Sequence, residues 1–315
     1  MRGAFFQALM EVARQDSRVH LVVGDLGFGV VEPFAREFPR QFLNAGVAEQ
    51  NMTGVAAGLA LAGKVVYTYS IANFPTLRCL EQIRNDICYH EANVKVVAVG
   101  GGFAYGSLGM THHATEDLAI MRALPGMTVV APGDPYEAAA ATKALAIHPG
   151  PAYLRLGRAA EPSVHDGTPP FQIGKAIRVV AGTELTLVST GGMLQSTVQA
   201  AQLLARQGIS AEVLSMHTIK PLDHGSIMNA ARQTGAILTV EEHSALGGLG
   251  GAVAEVLAES SHRDARFRRI ALPSEFSKVV GSQEYQRLQF GLTPESIVRE
   301  ALELLRPRGA VTVHA

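Results

Sequence analysis

The sequence predicts an α/β protein with two doubly wound domains, each built on a mainly parallel sheet covered by helices. Strand-like and helix-like segments alternate along the whole chain, as in parallel sheets with helices on both faces. The length of 315 residues exceeds what one ordinary core accommodates. A polar, proline-bearing stretch separates two such series. We therefore expect a first domain over residues 1–160, a linker over 161–174 and a smaller second domain over 175–315.

The predicted elements follow the apolar periodicity of the sequence. Strands are expected at residues 19–23, 41–43, 64–69, 94–99, 127–130, 152–156, 185–189, 211–215 and 236–240. Helices are expected at the amphipathic N-terminus and at residues 53–62, 75–87, 116–124, 135–147, 194–207, 222–233, 248–259 and 294–305. A nearly all-apolar strand such as 94–99 is typical of the interior of a parallel sheet.

The composition excludes several functional classes. A formal net charge of -1 with 47% hydrophobic residues gives no electrostatic basis for binding nucleic acid or a membrane surface. No window has the length of a transmembrane span, and polar residues at helical spacing distinguish the N-terminus from a signal peptide. Cys79 and Cys88 have no partnering Cys/His pattern. Buried thiols in a reducing cytoplasm, and no metal site, are therefore expected.

The junction between strand 41–43 and helix 53–62 is the strongest candidate for a ligand site. In α/β sheets ligands usually bind where a strand leads into a helix. Glu49 falls in the first turn of this helix, next to no basic residue and before an apolar, small-residue face. Desolvation there would disfavour the ionised carboxylate, which suits a proton-handling group. The alternative, which spacing alone favours, is that Glu49 complements the helix dipole.

The segment Gly46–Met52 resembles the Gly-x-x-Glu segment of the transketolase family's pyrimidine-binding domain. Residues 240–250 resemble the characteristic segment of the family's C-terminal domain, so the resemblance covers almost the whole chain. It implies that Glu49 is a catalytic and cofactor-binding residue. In that family the glutamate meets N1′ of the aminopyrimidine of thiamine diphosphate and helps to form the imino tautomer, which removes the C2 proton.

One domain of a transketolase has no counterpart here. The family places the diphosphate and Mg²⁺ on a Gly-Asp-Gly segment, which the nearest sequences, at residues 24–26 and 133–135, do not match. A diphosphate needs a cation and backbone donors. The chain thus resembles the C-terminal subunit of a split transketolase. This implies thiamine diphosphate and Mg²⁺ as cofactors, with the diphosphate and Mg²⁺ held by an N-terminal partner subunit that carries Gly-Asp-Gly, most simply in an α2β2 heterotetramer.

Two further side chains match family positions at the reacting centre. Phe74 aligns with the aromatic residue that stacks on the aminopyrimidine, a contact that contributes on the order of 1 kcal/mol beyond burial. His112 matches the histidine of the family's Gly-x-Thr-His loop, which faces substrate hydroxyls and the cofactor, and imidazole suits proton relay near pH 7. Without the resemblance, Phe74 would be a core residue at a helix start and His112 a surface residue.

Four more residues match binding positions of the family. Asp25 and Leu26 match positions that line the cofactor site where two subunits meet. Arg2 and Arg158 match arginines that hold the sugar phosphate. Either arginine could equally be a solvated surface residue, and Arg2 lies at a terminus, where disorder is common.

Three positions depart from the family pattern. A phosphate-contacting serine is replaced by Gly29, a phosphate-binding histidine by Gly100, and an aspartate that contacts a substrate hydroxyl by Leu108. Buried polar partners left unpaired cost roughly 1–3 kcal/mol each. A substrate other than the common sugar phosphates is therefore expected.

The activity implied by the resemblance is transfer of a two-carbon ketol unit from a ketose to an aldose, by the cofactor's chemistry. The first alternative is a 2-oxo acid dehydrogenase first-component β subunit, against which the Arg84-Asn85 and Thr111-His112 pairs argue. Half of a deoxyxylulose-phosphate synthase is a weaker alternative. An inactive partner subunit is the non-enzyme alternative, and the presence of Glu49, Phe74 and His112 argues against it.

Overall fold

The computed structural model describes residues 1–158, 161–260 and 264–306. It contains two mainly parallel sheets with helices on both faces, which confirms the predicted fold class. The predicted end of the first domain, at residues 159–160, lies outside the described residues, as does the predicted end of the second, at 307–315. No helix among the described residues is long and apolar enough to cross a bilayer.

The strands within the described residues are numbered in chain order: β1 Val19–Val23, β2 Phe42–Asn44, β3 Val65–Ile71, β4 Val94–Val99, β5 Thr128–Val130, β6 Ala152–Leu156, β7 Ile177–Val180, β8 Leu185–Ser189, β9 Ala211–Ser215, β10 Thr218–Lys220, β11 Ala236–Ser244 and β12 Arg266–Leu272. The helices are α1 Arg2–Gln15, α2 Glu32–Glu37, α3 Glu49–Leu61, α4 Leu80–Gln82, α5 Asp117–Ala123, α6 Pro135–Ile147, α7 Leu194–Ala205, α8 His224–Gln233, α9 Leu249–Glu259, α10 Gln283–Gln289 and α11 Pro294–Leu305. A π-helix, Ile83–Cys88, follows α4, and 3₁₀ turns lie at Gly106–Leu108, Met110–His112 and Gly191–Met193.

The first sheet has the order β10-β5-β6-β4-β3-β1-β2. All neighbours in it are parallel except β10, which pairs antiparallel with β5. Helices α1 and α6 cover one face with Phe5, Leu9 and Leu145, and α3 and the π-helix cover the other with Met52 and Ile83. Both faces are therefore buried, which explains why the central strands have few polar residues.

The second sheet has the order β12-β11-β8-β9-β7, with only β7 antiparallel to its neighbour. The sequence did not predict β7, β10, β12, α2 or α10. The helix predicted at 75–87 is wrong at its start, because α4 begins only at Leu80. Before it the chain turns, with Thr76 Oγ1 donating to the Ala72 carbonyl and Cys79 Sγ to that of Phe74. This turn places the side chains that follow β3.

A buried polar network joins the two sheets. Glu242 at the end of β11 accepts hydrogen bonds from the Phe103 amide at 3.1 Å and from Arg287 Nη2 at 2.8 Å. Gly102 makes this approach possible, since its φ is +64° and a Cβ there would overlap the Glu242 carboxylate. Arg155 on β6 donates to Asp117 Oδ2 at 2.8 Å and to the Glu242 carbonyl at 3.0 Å. Two hydrogen bonds thus join the first domain to Glu242, one from the Phe103 amide to its carboxylate and one from Arg155 to its carbonyl.

Both cysteines are buried and free. Burial raises the pKa of Cys79 and raises that of Cys88 to about 11. Each is therefore an unreactive thiol at neutral pH.

Candidate active site

The sequence-predicted site residues lie at one edge of the first sheet. Asp25 and Leu26 follow β1, and Glu49 opens the helix after β2. Phe74 follows β3, His112 lies in the loop after β4, and Arg158 follows β6; Arg2 is the first residue of α1. The carboxyl ends of parallel strands share one edge of a sheet, which is where α/β folds bind ligands. The fold therefore brings these separate segments together.

Glu49 is 3% exposed and does have a basic neighbour. Its Oε2 accepts a hydrogen bond from Arg78 Nη1 at 2.8 Å, across 29 residues of sequence. The guanidinium carbon of Arg78 lies 4.7 Å from the centre of the Phe74 ring. The expectation that no basic residue accompanies Glu49 is wrong, because the turn after Phe74 returns Arg78 to the start of α3.

His112 stands against the same aromatic ring. Its imidazole contacts Phe74 edge to face, with ring centres 5.2 Å apart. His112 Nδ1 lies 3.0 Å from Thr111 Oγ1, and Asn73 Nδ2 donates to the Thr111 carbonyl at 3.2 Å. The loop is therefore tied to the end of β3. With Nδ1 engaged by the threonine, Nε2 is the ring atom placed to give or take a proton.

Tyr105 completes the contacts between the predicted residues. Its ring lies 6.5 Å from that of His112, and the guanidinium carbon of Arg158 is 5.1 Å from its centre. Burial raises the pKa of Tyr105, although the charges of Arg158 and Arg2 act in the opposite direction. The hydroxyl therefore stays protonated at neutral pH, within the electrostatic influence of two cationic side chains.

The Tyr105 ring also explains Gly100. This glycine has φ +99°, and a Cβ there would overlap the tyrosine ring. No side chain fits at position 100 while Tyr105 holds this place. The glycine is therefore not a simple loss of a polar contact, because the aromatic ring of Tyr105 occupies the neighbouring space. The sequence offered only one signal for Tyr105, an aromatic residue within a glycine-rich loop.

Asp25 lies in the loop after β1, where the Asn44 side chain holds it. Asn44 Nδ2 donates to Asp25 Oδ1 at 2.8 Å, and Asn44 Oδ1 accepts from the Asp25 amide at 3.1 Å. The same oxygen accepts from the Gly46 amide at 3.0 Å. Asn44 thereby links the loop after β1 to the loop that leads into Glu49. Leu26 is half-buried beside it.

A cavity of about 750 Å³ opens beside Phe74 and Arg78 and extends to Glu116 and Glu275. Next to it, the buried Asn73 Oδ1 has no hydrogen-bond partner among the described residues, and neither has Ser70 Oγ. Ser70 and Glu49 both lie close to Gly24. Unpaired polar atoms beside a buried carboxylate and an aromatic face suit a planar heterocycle that carries several hydrogen-bonding nitrogens.

The described residues contain no group of three or more His, Cys, Asp or Glu side chains that could hold a metal ion. What the site offers is a carboxylate, an imidazole, a tyrosine hydroxyl and the charges of Arg158 and Arg2. These groups can exchange protons and hold an anionic substrate end.

Comparisons with known proteins agree on one family. Residues 1–162 match the model for "Transketolase, pyrimidine binding domain", and residues 174–297 match that for "Transketolase, C-terminal domain". A subunit of the apulose-4-phosphate transketolase of Phocaeicola vulgatus is 41% identical over 307 residues, covering 97% of this chain and 97% of that protein. The 6-deoxy-6-sulfo-D-fructose transketolase subunit SqwH of Clostridium sp. is 38% identical over 305 residues, covering 96% and 94%.

A solved structure gives the same result. The protein described as "Split gene transketolase, inactive beta4 tetramer" superimposes with a TM-score of 0.86 at 38% identity, covering 97% of this chain and 98% of that one. Both halves of the chain match family models, and its relatives of equal length are subunits of split transketolases. The chain therefore belongs to the transketolase family and corresponds to the C-terminal subunit of its split members.

Proposed function

We propose that this chain is the aminopyrimidine-binding subunit of a thiamine-diphosphate-dependent enzyme that transfers a two-carbon ketol unit from a ketose to an aldose. The observation that carries the proposal is the placement of Glu49, 3% exposed, at the carboxyl edge of the first sheet, where Arg78 contacts both its carboxylate and the face of Phe74. In this division of labour residues 1–160 bind the pyrimidine, 161–174 link, and 175–315 form the C-terminal domain.

The residues present fit the aminopyrimidine half of the cofactor. A buried carboxylate can pair with a ring nitrogen, and the orphaned Asn73 Oδ1 and Ser70 Oγ can accept from or donate to other polar ring atoms. For the diphosphate half, the sequence has no Gly-Asp-Gly segment of the kind on which the family places diphosphate and Mg²⁺. We assign the diphosphate and Mg²⁺ to an N-terminal partner subunit.

When bound, thiamine diphosphate supplies the nucleophilic carbon that carries the two-carbon unit. Glu49 holds and exchanges a proton at the pyrimidine nitrogen, and Phe74 fixes the plane of that ring. His112 Nε2 moves a proton at a substrate hydroxyl. Asp25 and Leu26 border the site from the loop after β1, where a partner subunit closes it.

The assembly follows from this division. The solved relative is described as an inactive tetramer of β chains, which supports the view that such a subunit self-associates without being active. On α3 the exposed positions include Gly54, Gly58 and Leu61, and nothing lies within 4 Å of a Cβ at either glycine. A face this open lets another chain approach closely, in support of an α2β2 heterotetramer.

The substrate class follows from the arginines and from Tyr105. Arg158 and Arg2 suit an anionic group, and Tyr105, whose ring lies against Gly100, adds a hydroxyl donor. Two relatives are named for apulose 4-phosphate and for a sulfofructose. We propose a ketose with an anionic end group, other than the common pentose and hexose phosphates, because Gly29 and Leu108 provide no polar contact.

The test compares the isolated chain with the chain co-expressed with its diphosphate-binding partner, by calorimetric titration with thiamine diphosphate and Mg²⁺. We expect weak binding and no turnover for the chain alone, and micromolar binding with ketol transfer for the pair. Light scattering should give the mass of two copies of each chain. Micromolar binding with catalysis by the chain alone would overturn the two-subunit assignment, and pyruvate as the efficient donor would point to a deoxyxylulose-phosphate synthase.

A further inference from the structure

The guanidinium of Arg78 lies between the two groups that the proposed function assigns to the aminopyrimidine. Its Nη1 is 2.8 Å from Glu49 Oε2, and its Cζ is 4.7 Å from the centre of the Phe74 ring. We propose that Arg78 is a placeholder for the aminopyrimidine: it keeps Glu49 and Phe74 in position and leaves when the ring binds. The inference rests on the proposed function and adds a residue and a competition to it.

A guanidinium can take this position because it shares two features with an aminopyrimidine. Both groups are planar, so both can lie on an aromatic face, and both present N–H donors in that plane to a carboxylate. Two such groups cannot occupy one face of Phe74 and one oxygen of Glu49 together. Binding of the ring therefore requires Arg78 to move.

The ion pair with Glu49 explains why the Arg78 guanidinium lies at this position. Glu49 is 3% exposed, and a carboxylate this buried is costly without a counter-charge. The Arg78 side chain is 49% exposed, so it can return to solvent with little loss. Gln50 Nε2 donates to the Arg78 carbonyl at 3.1 Å, which fixes the backbone at this point to α3. The movement therefore belongs to the side chain.

The displaced side chain has space and partners nearby. Arg78 lines the cavity of about 750 Å³ that also contains Glu116 and Glu275. Neither of these carboxylates forms an ion pair within the described part of the chain. The cavity can thus receive the guanidinium when the ring takes its place.

The placeholder has a measurable consequence for affinity. Thiamine diphosphate must compete with the Arg78 contacts, so only the fraction of molecules with Arg78 displaced is ready to bind. The apparent Kd is therefore the intrinsic Kd divided by that fraction. Removing the guanidinium should tighten binding. A residue that contacts the bound cofactor would have the opposite effect, and a purely structural residue would have none.

The experiment measures the Kd of thiamine diphosphate with Mg²⁺ for the chain assembled with its partner, by calorimetry. We expect Arg78→Met to tighten binding about tenfold relative to wild type, while the assembly without cofactor melts at a lower temperature because Glu49 has lost its counter-charge. Arg14→Met is the control, since Arg14 also pairs with a glutamate, Glu37, but on the exposed surface of α1. It should change neither value.

A second readout uses the wild-type assembly labelled with ¹³C-arginine, so it does not depend on how the variant folds. The Arg78 side-chain NMR signal should show the ring-current shift of Phe74 and lose it when thiamine diphosphate is added. Unchanged or weaker binding in Arg78→Met, or a ring-current shift that persists with cofactor, overturns the inference alone. If the wild-type assembly binds no thiamine diphosphate, the proposed function fails, and the inference with it.

Discussion

Glu49 in the candidate site and Glu242 at the junction of the two sheets are equally buried, each 3% exposed, but they are bound very differently. Glu242 accepts from the Phe103 amide, from Gln283 Nε2 and from Arg287 Nη2. Within the described residues, the Glu49 carboxylate accepts one hydrogen bond, from the half-exposed Arg78. A carboxylate with all its acceptor positions used can only hold structure together. One with free positions can act on a ligand.

Two tyrosines show the same contrast. Tyr153 at the junction donates to Asp117 Oδ2 at 2.6 Å, and that carboxylate is also paired with Arg155. The Tyr105 hydroxyl makes no hydrogen bond to another residue in the described ranges, although Arg158 lies over its ring. The number of partners therefore separates the site from the junction better than burial does, and each pair can be tested by matched substitutions.

Glu49→Gln should have the largest effect. A neutral amide cannot exchange a proton with the pyrimidine nitrogen, so ketol transfer by the assembled enzyme should fall on the order of a thousandfold. The amide oxygen can still accept from Arg78, so folding and assembly should be retained. The direct measurement is deuterium exchange at C2 of bound thiamine diphosphate, followed by NMR. Exchange at the wild-type rate would show that Glu49 is not the activating group.

Glu242→Gln is the matched change at the junction, and its effect should be on stability. Arg287 is largely buried and would lose its counter-charge, which costs about 3 kcal/mol for a buried pair. Urea unfolding of the assembled enzyme should shift to lower concentration, while the kcat of molecules that remain folded should be close to wild type. A thousandfold loss of activity with unchanged unfolding would place Glu242 in the site and break the comparison.

The sequence predicted those strands and helices whose formation depends on their own residues and immediate neighbours. Strand β4 was found because its residues are continuously apolar, apart from Lys95. Helix α6 was found because alanines fill it, and the structure adds that the Asp134 side chain caps it. The three-residue strand β10 was missed, because it lies in the chain among the strands of the second sheet but forms only by pairing with β5 of the first sheet. Nothing in its own sequence marks it as a strand.

The site residues divide in the same way. Glu49, Phe74 and His112 were predicted because each lies in a segment that resembles the family, and the structure brings them into one set of contacts. Their roles stay predictions. Arg78 and Tyr105 were missed, because their importance comes from meeting residues of other loops. Contacts between residues of different loops cannot be inferred from residue spacing or composition.

Tyr105→Phe should give the smallest effect and the sharpest test of the substrate proposal. It removes only the hydroxyl and keeps the ring that fills the space beside Gly100, so Arg158 retains its stacking surface. A hydrogen bond to a charged group contributes about 1.5 kcal/mol or more, so KM for a ketose with an anionic end should rise about tenfold with kcat unchanged. The control, Tyr153→Phe, should instead lower the unfolding midpoint and leave KM unaltered, because its hydroxyl is committed to Asp117.

The measurement is steady-state kinetics on one sugar that carries a phosphate, a sulfonate or no anion, which shows whether the hydroxyl contacts the anionic group. If Tyr105→Phe raises KM equally for the uncharged sugar, the hydroxyl does not bind the anionic group. The two tyrosines would then differ only in where they lie, and not in what their hydroxyls do.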